Sequence, residues 1–158
     1  MPGAPNPYFR ILSEEFAGHG RKFSKLISQT YYVGQILGLT VGVGTIRQLN
    51  GDGTDVPVGI CTESITSAHA EYATTAPINV EIVLAGAEIW CPVTTYAAGT
   101  TPATAKLGYF ADILQYGLGI TLDTTDRDDF VVSVLNGASI TDVICTPCSA
   151  AAIPFAYI

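Results

Sequence analysis

Residues 33–63, VGQILGLTVGVGTIRQLNGDGTDVPVGICTE, decide the fold class of this chain. The stretch begins with a glycine-punctuated apolar run and ends with a second, shorter one at 56–61. Val, Ile, Thr and Leu dominate both runs and no polar stripe recurs at helical spacing, so both predict β-strands. Residues 50–53, Asn-Gly-Asp-Gly, tolerate or require positive φ, and they predict a tight β-hairpin between the runs.

Residues 79–90, NVEIVLAGAEIW, predict a strand pair. Val80, Ile82 and Leu84 alternate with other residues until Gly86 interrupts the run, and the pattern resumes up to Trp90. This alternation is typical of a sheet that is covered on one face.

Residues 103–116 allow two interpretations. Thr101 and Pro102 fit the N-cap and first position of a short helix that ends before Gly117. Gly108 lies within that helix, and the alternative is a strand from 106 to 114. We expect the helix. The fold class is therefore mainly β: a small β-barrel or sandwich-like domain with an extended N-terminal arm and at most one short helix.

The pattern V-L-x-G-A-x-I occurs twice, at 83–89 and at 134–140, and each copy follows an alternating strand. Glycine at a bulge or tight bend would produce this by convergent hairpin chemistry. An internal duplication that gives two similar β-layers is the other explanation. Both interpretations predict a mostly β chain.

Residues 1–29 predict an extended arm and residues 30–158 a single β-rich domain. Prolines at positions 2, 5 and 7 exclude helix and strand pairing at the start, and Gly18 and Gly20 break any later helix. Arms that carry aromatic and basic side chains commonly order on a partner, although a solvated flexible tail is the alternative. The expected contact residues are Tyr8, Phe9, Arg10, Phe16, Arg21, Lys22, Phe23 and Lys25.

Composition indicates that neighbouring chains cover part of the surface. Charged residues make up 13% of the chain, about half of the usual ~25%, and hydrophobic residues make up 48%. The longest weakly polar run, 33–46, is too short to span a membrane, which takes ~20 residues. The first ten residues lack the layout of a signal peptide. An apolar chain of this kind suggests surface buried against other subunits.

Charge is unevenly distributed. Residues 1–25 carry four basic and two acidic side chains, whereas residues 26–158 carry three basic and twelve acidic ones. The acidic body argues against direct nucleic-acid binding, which depends on Lys and Arg. The basic beginning suits an acidic partner surface.

The cysteines and histidines predict no catalytic or metal site. Cys145 and Cys148 have the C-x-x-C spacing of redox and zinc sites, but no second ligand pair and no βαβ context accompany them. Free buried thiols are therefore the expectation for all four cysteines. Since no catalytic motif is present either, the sequence argues against an enzyme and predicts no cofactor.

Three segments carry a family resemblance: VGQILG at 33–38, PVGICTE at 57–63 and VEIVLAGAEI at 80–89. Together they resemble the head decoration (cement) proteins of bacteriophages, the group around the phage lambda decoration protein. The resemblance implies a β-barrel-like homotrimer whose N-terminal segment orders on the major capsid protein. It also implies a virion location on the capsid surface, after assembly in the host cytoplasm. The expected function is to bind the outside of an icosahedral head and stabilise it.

Two other classes of function stay open on the sequence. The chain would also suit another phage structural subunit, such as a tail-tube or spike protein, or a β-rich adhesive or carbohydrate-binding module. A metal-dependent enzyme that uses Cys145 and Cys148 ranks third, and zinc content would identify it.

Overall fold

The computed structural model describes residues 9–40, 42–49, 55–84, 86–96, 101–102, 107–123, 130–134 and 141–147. Over these residues the chain is mainly β, as the sequence predicts, and no helix reaches seven residues. The β-branched and aromatic residues that predict strands therefore decide the fold class correctly.

Eleven strands run through the described residues. They are β1 (Arg10–Ile11), β2 (Gly20–Phe23), β3 (Ile36–Thr40), β4 (Ile46–Gln48), β5 (Asp55–Cys61), β6 (Ile78–Ile82), β7 (Ile89–Tyr96), β8 (Phe110–Ile113), β9 (Ile120–Asp123), β10 (Phe130–Val134) and β11 (Asp142–Pro147). Short 3₁₀ helices lie at Glu14–Phe16, Ala70–Ala73 and Gln115–Gly117.

Strands β7 to β11 form a closed five-stranded barrel. Their order is β7-β11-β10-β8-β9, and β9 returns to lie parallel to β7, with Ile120 opposite Val93. Closure leaves such a barrel without free edges along these pairings. Strand β1 adds to the remaining part of the same edge of β7, antiparallel, with Arg10 opposite Trp90.

Strands β2 to β6 form the other sheet, called the first sheet because it comes first in the chain. Its order is β2-β6-β5-β3-β4. The chain after β2 meets β4 in a parallel bridge between Lys25 and Ile46. The Ile46 N–H donates to the Ser24 carbonyl (2.8 Å) and the Leu26 N–H donates to the Ile46 carbonyl (2.9 Å). These two bonds bring the ends of the first sheet together.

The first sheet and the barrel share one topology. In each, counted in chain order, the first strand neighbours the fifth, the fifth the fourth, the fourth the second, and the second the third. The third strand then lies parallel to the chain of the first, at Ile46 beside Lys25 and at Ile120 beside Val93. The ten strands β2 to β11 thus form two copies of one strand arrangement, and β1 is additional.

This repeat differs from the one that V-L-x-G-A-x-I indicates. Val83 follows β6, the fifth strand of the first sheet, whereas Val134 ends β10, the fourth strand of the barrel. Residues 135–140 lie outside the described residues. The two copies of the motif therefore do not occupy equivalent positions in the two halves. What repeats in the structure is the order of the strands, not the sequence V-L-x-G-A-x-I.

Two hydrophobic cores hold the molecule together. One lies within the first sheet and includes Leu37, Val58 and Val80. The other fills the barrel and reaches the first sheet through Ile36 and its neighbours Leu49 and Ile60. Side chains alternate between the two faces of a strand, so β3 supplies both cores.

The 3₁₀ turn Gln115–Gly117 joins the two halves. The buried Gln35 side chain donates from Nε2 to the Tyr116 carbonyl (2.6 Å), and the Tyr116 N–H donates to the Leu49 carbonyl (2.9 Å). Tyr116 has φ +72, an uncommon value for a residue other than glycine. Next to it, Gly117 (φ +67) lies directly against the Ile36 carbonyl.

The predicted hairpin around residues 50–53 is wrong in its pairing. Strands β4 and β5, which flank that segment, are not neighbours, because β3 lies between them. The hairpin forms instead at the turn between β3 and β4, where Gly42 has φ +82 and Gly44 has φ +73. The other edge of β3 then pairs with β5. Residues 50–54 themselves lie outside the described residues.

The predicted helix over 103–116 is also wrong where the structure describes it. Phe110–Ile113 is a strand, β8, which pairs with β9 and β10. Two strand partners distant in sequence outweigh a weak helical pattern that Gly108 already interrupts. Residues 103–106 lie outside the described residues.

The strand pair predicted within 79–90 is wrong in its pairing. The two strands are β6 and the beginning of β7, and they lie in different sheets.

Candidate functional site

The candidate site is the N-terminal segment, defined as residues 9–25, where the sequence places the contacts with a partner. The segment does not form a free arm. Strand β1 pairs with β7 of the barrel and β2 pairs with β6 of the first sheet. The predicted division into an arm at 1–29 and a domain at 30–158 is therefore wrong for residues 9–29. Residues 1–8, including Tyr8, lie outside the described residues.

Phe9 lies in the interior and is only 1% exposed. Its ring packs in the barrel core with its centroid 6.5 Å from that of Phe130. Its N–H donates to the carbonyl of Gly34 (2.9 Å), which ties the segment to the chain just before β3. Phe9 is thus a core residue and is closed to a partner.

Lys25 is fully buried, although the sequence suggests an exposed cation. Its ammonium group donates to the backbone carbonyls of Glu71 and Thr74, at the end of a 3₁₀ turn. Burial lowers the pKa of Lys25, and the nearby Glu71 carboxylate partly opposes this. The side chain therefore holds the loop 66–77 against the first sheet and cannot reach a partner.

Arg10, Arg21 and Lys22 are the exposed cations of the segment. The Arg10 guanidinium lies over the Trp90 ring, 5.5 Å from its centroid, a cation–π geometry that orients the side chain across the outside of β7. Arg21 and Lys22 are consecutive residues of β2 and are both exposed. These three side chains are open to an acidic surface.

The two remaining aromatic residues of the segment are half-buried. Phe23 packs against the core of the first sheet, and Phe16 packs against the barrel core beside Gly86. Each ring thus serves the fold and leaves only part of its surface accessible.

Sequence reasoning missed the exposed apolar side chains. Val43 is 70% exposed, at the turn between β3 and β4 where Gly42 and Gly44 have positive φ. The large hydrophobic residues exposed among those described are Leu26, Ile27, Val33, Val43, Leu107 and Tyr116. Only position in the fold distinguishes them from the buried residues of the same types.

The described thiols are buried and free, as expected. Cys61, Cys91 and Cys145 form no disulfide, and Cys148 lies outside the described residues. Burial raises the pKa of Cys61 to about 12. Burial and the neighbouring Cys145 thiol raise the pKa of Cys91. These shifts keep both thiols protonated at neutral pH, in the form that is not nucleophilic.

Raising the pH from about 8 to about 10 is expected to reduce stability through Cys61. The unfolded thiol ionises near pH 9.0 and the folded one near 12, so the folded state binds more protons between these values. The stabilisation is complete below pH 9 and is lost as the pH rises towards 12, by up to about 1.4 kcal/mol per pH unit. Urea unfolding in the presence of a reductant measures this loss.

The variant Cys61→Ala is the control for this prediction. It is less stable throughout, but its unfolding free energy should fall less steeply above pH 9. The lowered pKa of Lys25 acts in the opposite direction in both proteins, because deprotonation towards pH 10.5 relieves its burial. Equal slopes in the two proteins would contradict the role assigned to Cys61.

The histidines lie on the surface in local contacts. His69 Nδ1 lies 3.0 Å from the Thr66 backbone nitrogen, and His19 Nε2 lies 3.4 Å from the Glu15 carbonyl oxygen. Among the residues described, no three His, Cys, Asp or Glu side chains gather where a metal ion would bind. Every helix among the described residues falls short of the length and apolar character that crossing a membrane requires.

Comparison with known proteins yields no relative: no family model, no curated protein and no solved structure matches the chain. The resemblance to phage decoration proteins therefore stays a prediction. The candidate site therefore consists of three exposed cations near the beginning of the chain, on a two-sheet body that is otherwise acidic.

Proposed function

We propose that this protein binds the outer surface of an icosahedral phage head and stabilises it, as a capsid decoration protein. The proposal rests first on the resemblance of the segments 33–38, 57–63 and 80–89 to that family. One observation from the structure supports it most: the exposed cations Arg10, Arg21 and Lys22 occur on a body that also exposes several large apolar side chains.

This combination suits a protein that docks on a larger assembly. Interfaces combine apolar contact area with charges that steer and orient the partner. In this proposal the three cations meet carboxylates of the major capsid protein, and the apolar side chains supply contact area there or between copies in a homotrimer. Because β1 pairs with the barrel and β2 pairs with the first sheet, Arg10, Arg21 and Lys22 would be held in fixed positions.

Stabilisation would follow from mass action. A protein that binds the expanded shell and not its dissociated subunits raises the stability of that shell in proportion to the logarithm of its free concentration over Kd. No chemical step is required of this chain. The exposed surface alone would carry the function.

The carbohydrate-binding alternative receives less support from the same surface. Glycan sites usually stack sugars on aromatic side chains. Of the large hydrophobic residues exposed in the described part of the chain, Tyr116 is the one aromatic. Its turn is also occupied in joining the two sheets.

Neutralising the exposed cations is expected to abolish attachment. The triple variant R10Q/R21Q/K22Q should cosediment with expanded, undecorated phage shells at least about tenfold more weakly than the unmodified protein, because each lost charge pair removes part of the binding energy. Thermal unfolding of the shells, followed by light scattering, should show the matching loss of protection.

The matched control adds three negative charges elsewhere. A68E/A73E/T75E changes the net charge by the same amount at exposed positions in the loop 66–77. This variant should keep most of the attachment. Equal loss of attachment in both variants would show that overall charge, and not the position of the three cations, determines binding. Failure of the unmodified protein to bind any shell would contradict the proposed function.

A further inference from the structure

The outer edge of β2 carries backbone groups that face away from the first sheet. In antiparallel pairing, successive residues alternate between facing the partner strand and facing away from it. The Ile82 N–H donates to the His19 carbonyl, so the odd-numbered residues of β2 face β6. Gly20 and Lys22 therefore face outward. The bond from the Ile46 N–H to the Ser24 carbonyl on that outer side agrees with this alternation.

This outer edge is open within the described residues. From Gly20 to Lys22 no described strand pairs with it, and β4 begins to pair only at Ser24 and beyond. The three residues of β2 concerned are all exposed. The Gly20 carbonyl accepts one bond from the neighbouring Arg21 side chain (3.1 Å), which a competing donor would displace.

The barrel has the same edge at the equivalent place. The parallel bridges Lys25–Ile46 and Val93–Ile120 match in the two halves. Counted back three residues from each bridge, Lys22 corresponds to Trp90, and Gly20 corresponds to Glu88. Strand β7 at these positions is the counterpart of β2.

In the barrel this edge is covered. Strand β1 lies antiparallel along it, with Arg10 opposite Trp90. The Leu12 N–H donates to the Glu88 carbonyl (2.8 Å), and the Glu88 N–H donates to the Ser13 hydroxyl (3.0 Å). The molecule therefore contains one example of what fits this edge: a short extended segment of polypeptide.

We propose that the outer edge of β2 at Gly20–Lys22 binds an extended acidic segment of a partner protein, which adds to the first sheet as an antiparallel strand. Strand addition satisfies the outward N–H and C=O groups of Lys22 and the carbonyl of Gly20. The added strand would lie along β2 of the first sheet as β1 lies along β7 of the barrel.

Charge selects an acidic occupant. Arg21 and Lys22 project on opposite faces of β2, since successive side chains alternate, so they flank an added strand on both faces. Glu81, which lies opposite Gly20 on β6, accepts the N–H of Gly18 before β2 (2.7 Å). The edge thus presents two cations together with the N–H and C=O groups of Lys22, which have no partner among the described residues; the Gly20 N–H is already bonded to the Gly18 carbonyl (2.9 Å). The inference does not depend on the proposed function, because any partner with such a segment would bind.

The test uses the full chain, labelled with ¹⁵N, and a synthetic peptide that copies the sequence around β1. The probe carries residues 8–14 with a glutamate in place of Arg10 and blocked ends; a second peptide keeps the arginine. Saturable shifts of the Lys22 amide signal are expected with the acidic peptide, whose net charge is −2, and about tenfold weaker binding with the arginine peptide, in which the charges of Arg10 and Glu14 cancel. The fluorescence of Trp90, the single tryptophan, should not change, because the peptide leaves β1 in place.

Two variants locate the binding to this edge. K22P removes an N–H that has no partner in the described part of the chain and should keep the Tm while abolishing peptide binding, since proline is tolerated on an outer edge. R21P removes an N–H that faces β6 and should instead lower the Tm. The charge reversal R21E/K22E should reverse the preference, so that the arginine peptide binds more tightly.

Several results would overturn the inference. Binding that persists in K22P, or that changes Trp90 emission, would place the peptide elsewhere. The absence of amide shifts at the highest soluble peptide concentration would show that the edge does not accept a strand. Self-association of the unmodified protein that K22P abolishes would assign the edge to a second copy of this chain and not to an acidic partner.

Discussion

Replacing Gly117 with alanine is expected to lower the unfolding free energy by about 4 kcal/mol or more, a loss that only buried clashes and comparable defects produce. A Cβ at this position would overlap the backbone carbonyl of Ile36, which belongs to β3 and cannot rotate aside. The residue also has φ +67, which is unfavourable for any side chain. The substitution would separate the 3₁₀ turn from the first sheet and expose the core between the two halves.

Gly108→Ala is the matched control. Gly108 also has a positive φ, +86, but nothing lies within 4 Å of a Cβ added there. Its substitution should cost only the conformational penalty of about 1–2 kcal/mol. Urea unfolding at neutral pH compares the two variants. Equal losses would show that backbone conformation alone matters at Gly117 and that the contact with Ile36 does not join the halves.

Deleting residues 1–25 is expected to unfold the first sheet. The deletion removes β2, the Lys25 side chain that holds the loop 66–77, and Phe9 from the barrel core. Truncation of one buried phenylalanine alone costs about 3–5 kcal/mol, which is a large part of the stability of a typical domain at about 5–15 kcal/mol. The interpretation of this region as an arm implies the opposite, a folded core after the same deletion.

The control deletes residues 1–8 only and leaves every described contact in place. Thermal unfolding followed by circular dichroism should show a cooperative transition for the deletion of residues 1–8. The deletion of residues 1–25 should show no transition of normal amplitude. The single variant Phe9→Ala should fall between them. A deletion of residues 1–25 with an unchanged Tm would restore the interpretation as an arm.

The comparison of Phe9 with Arg10 shows how far the candidate site can be predicted from the sequence. Aromatic and basic residues after a proline-rich beginning predict a partner contact for both. Arg10 is exposed and Phe9 is buried, since strand pairing with β7 turns alternate side chains inward. No pattern within residues 1–29 contains the strand that they pair with, so local patterns cannot separate the two residues.

Lys25 illustrates the same limit more strongly. A lysine in a basic stretch is ordinarily solvated, yet two carbonyls almost fifty positions later in the chain enclose its ammonium group. The hairpin predicted around residues 50–53 fails for a related reason. Turn chemistry there predicts that the flanking strands pair with each other, but a third strand, β3, competes for both partners.

The amino-acid sequence by itself determined that this chain is mainly β and that its described cysteines are buried thiols, because strand propensity and the burial of apolar side chains are properties of short segments. Only the tertiary structure decided which strands are neighbours, that one arrangement occurs twice, and that β1 covers an edge of β7 whose counterpart on β2 has no partner strand among the described residues. Those features depend on hydrogen bonds between residues far apart in the chain, and no local pattern encodes them.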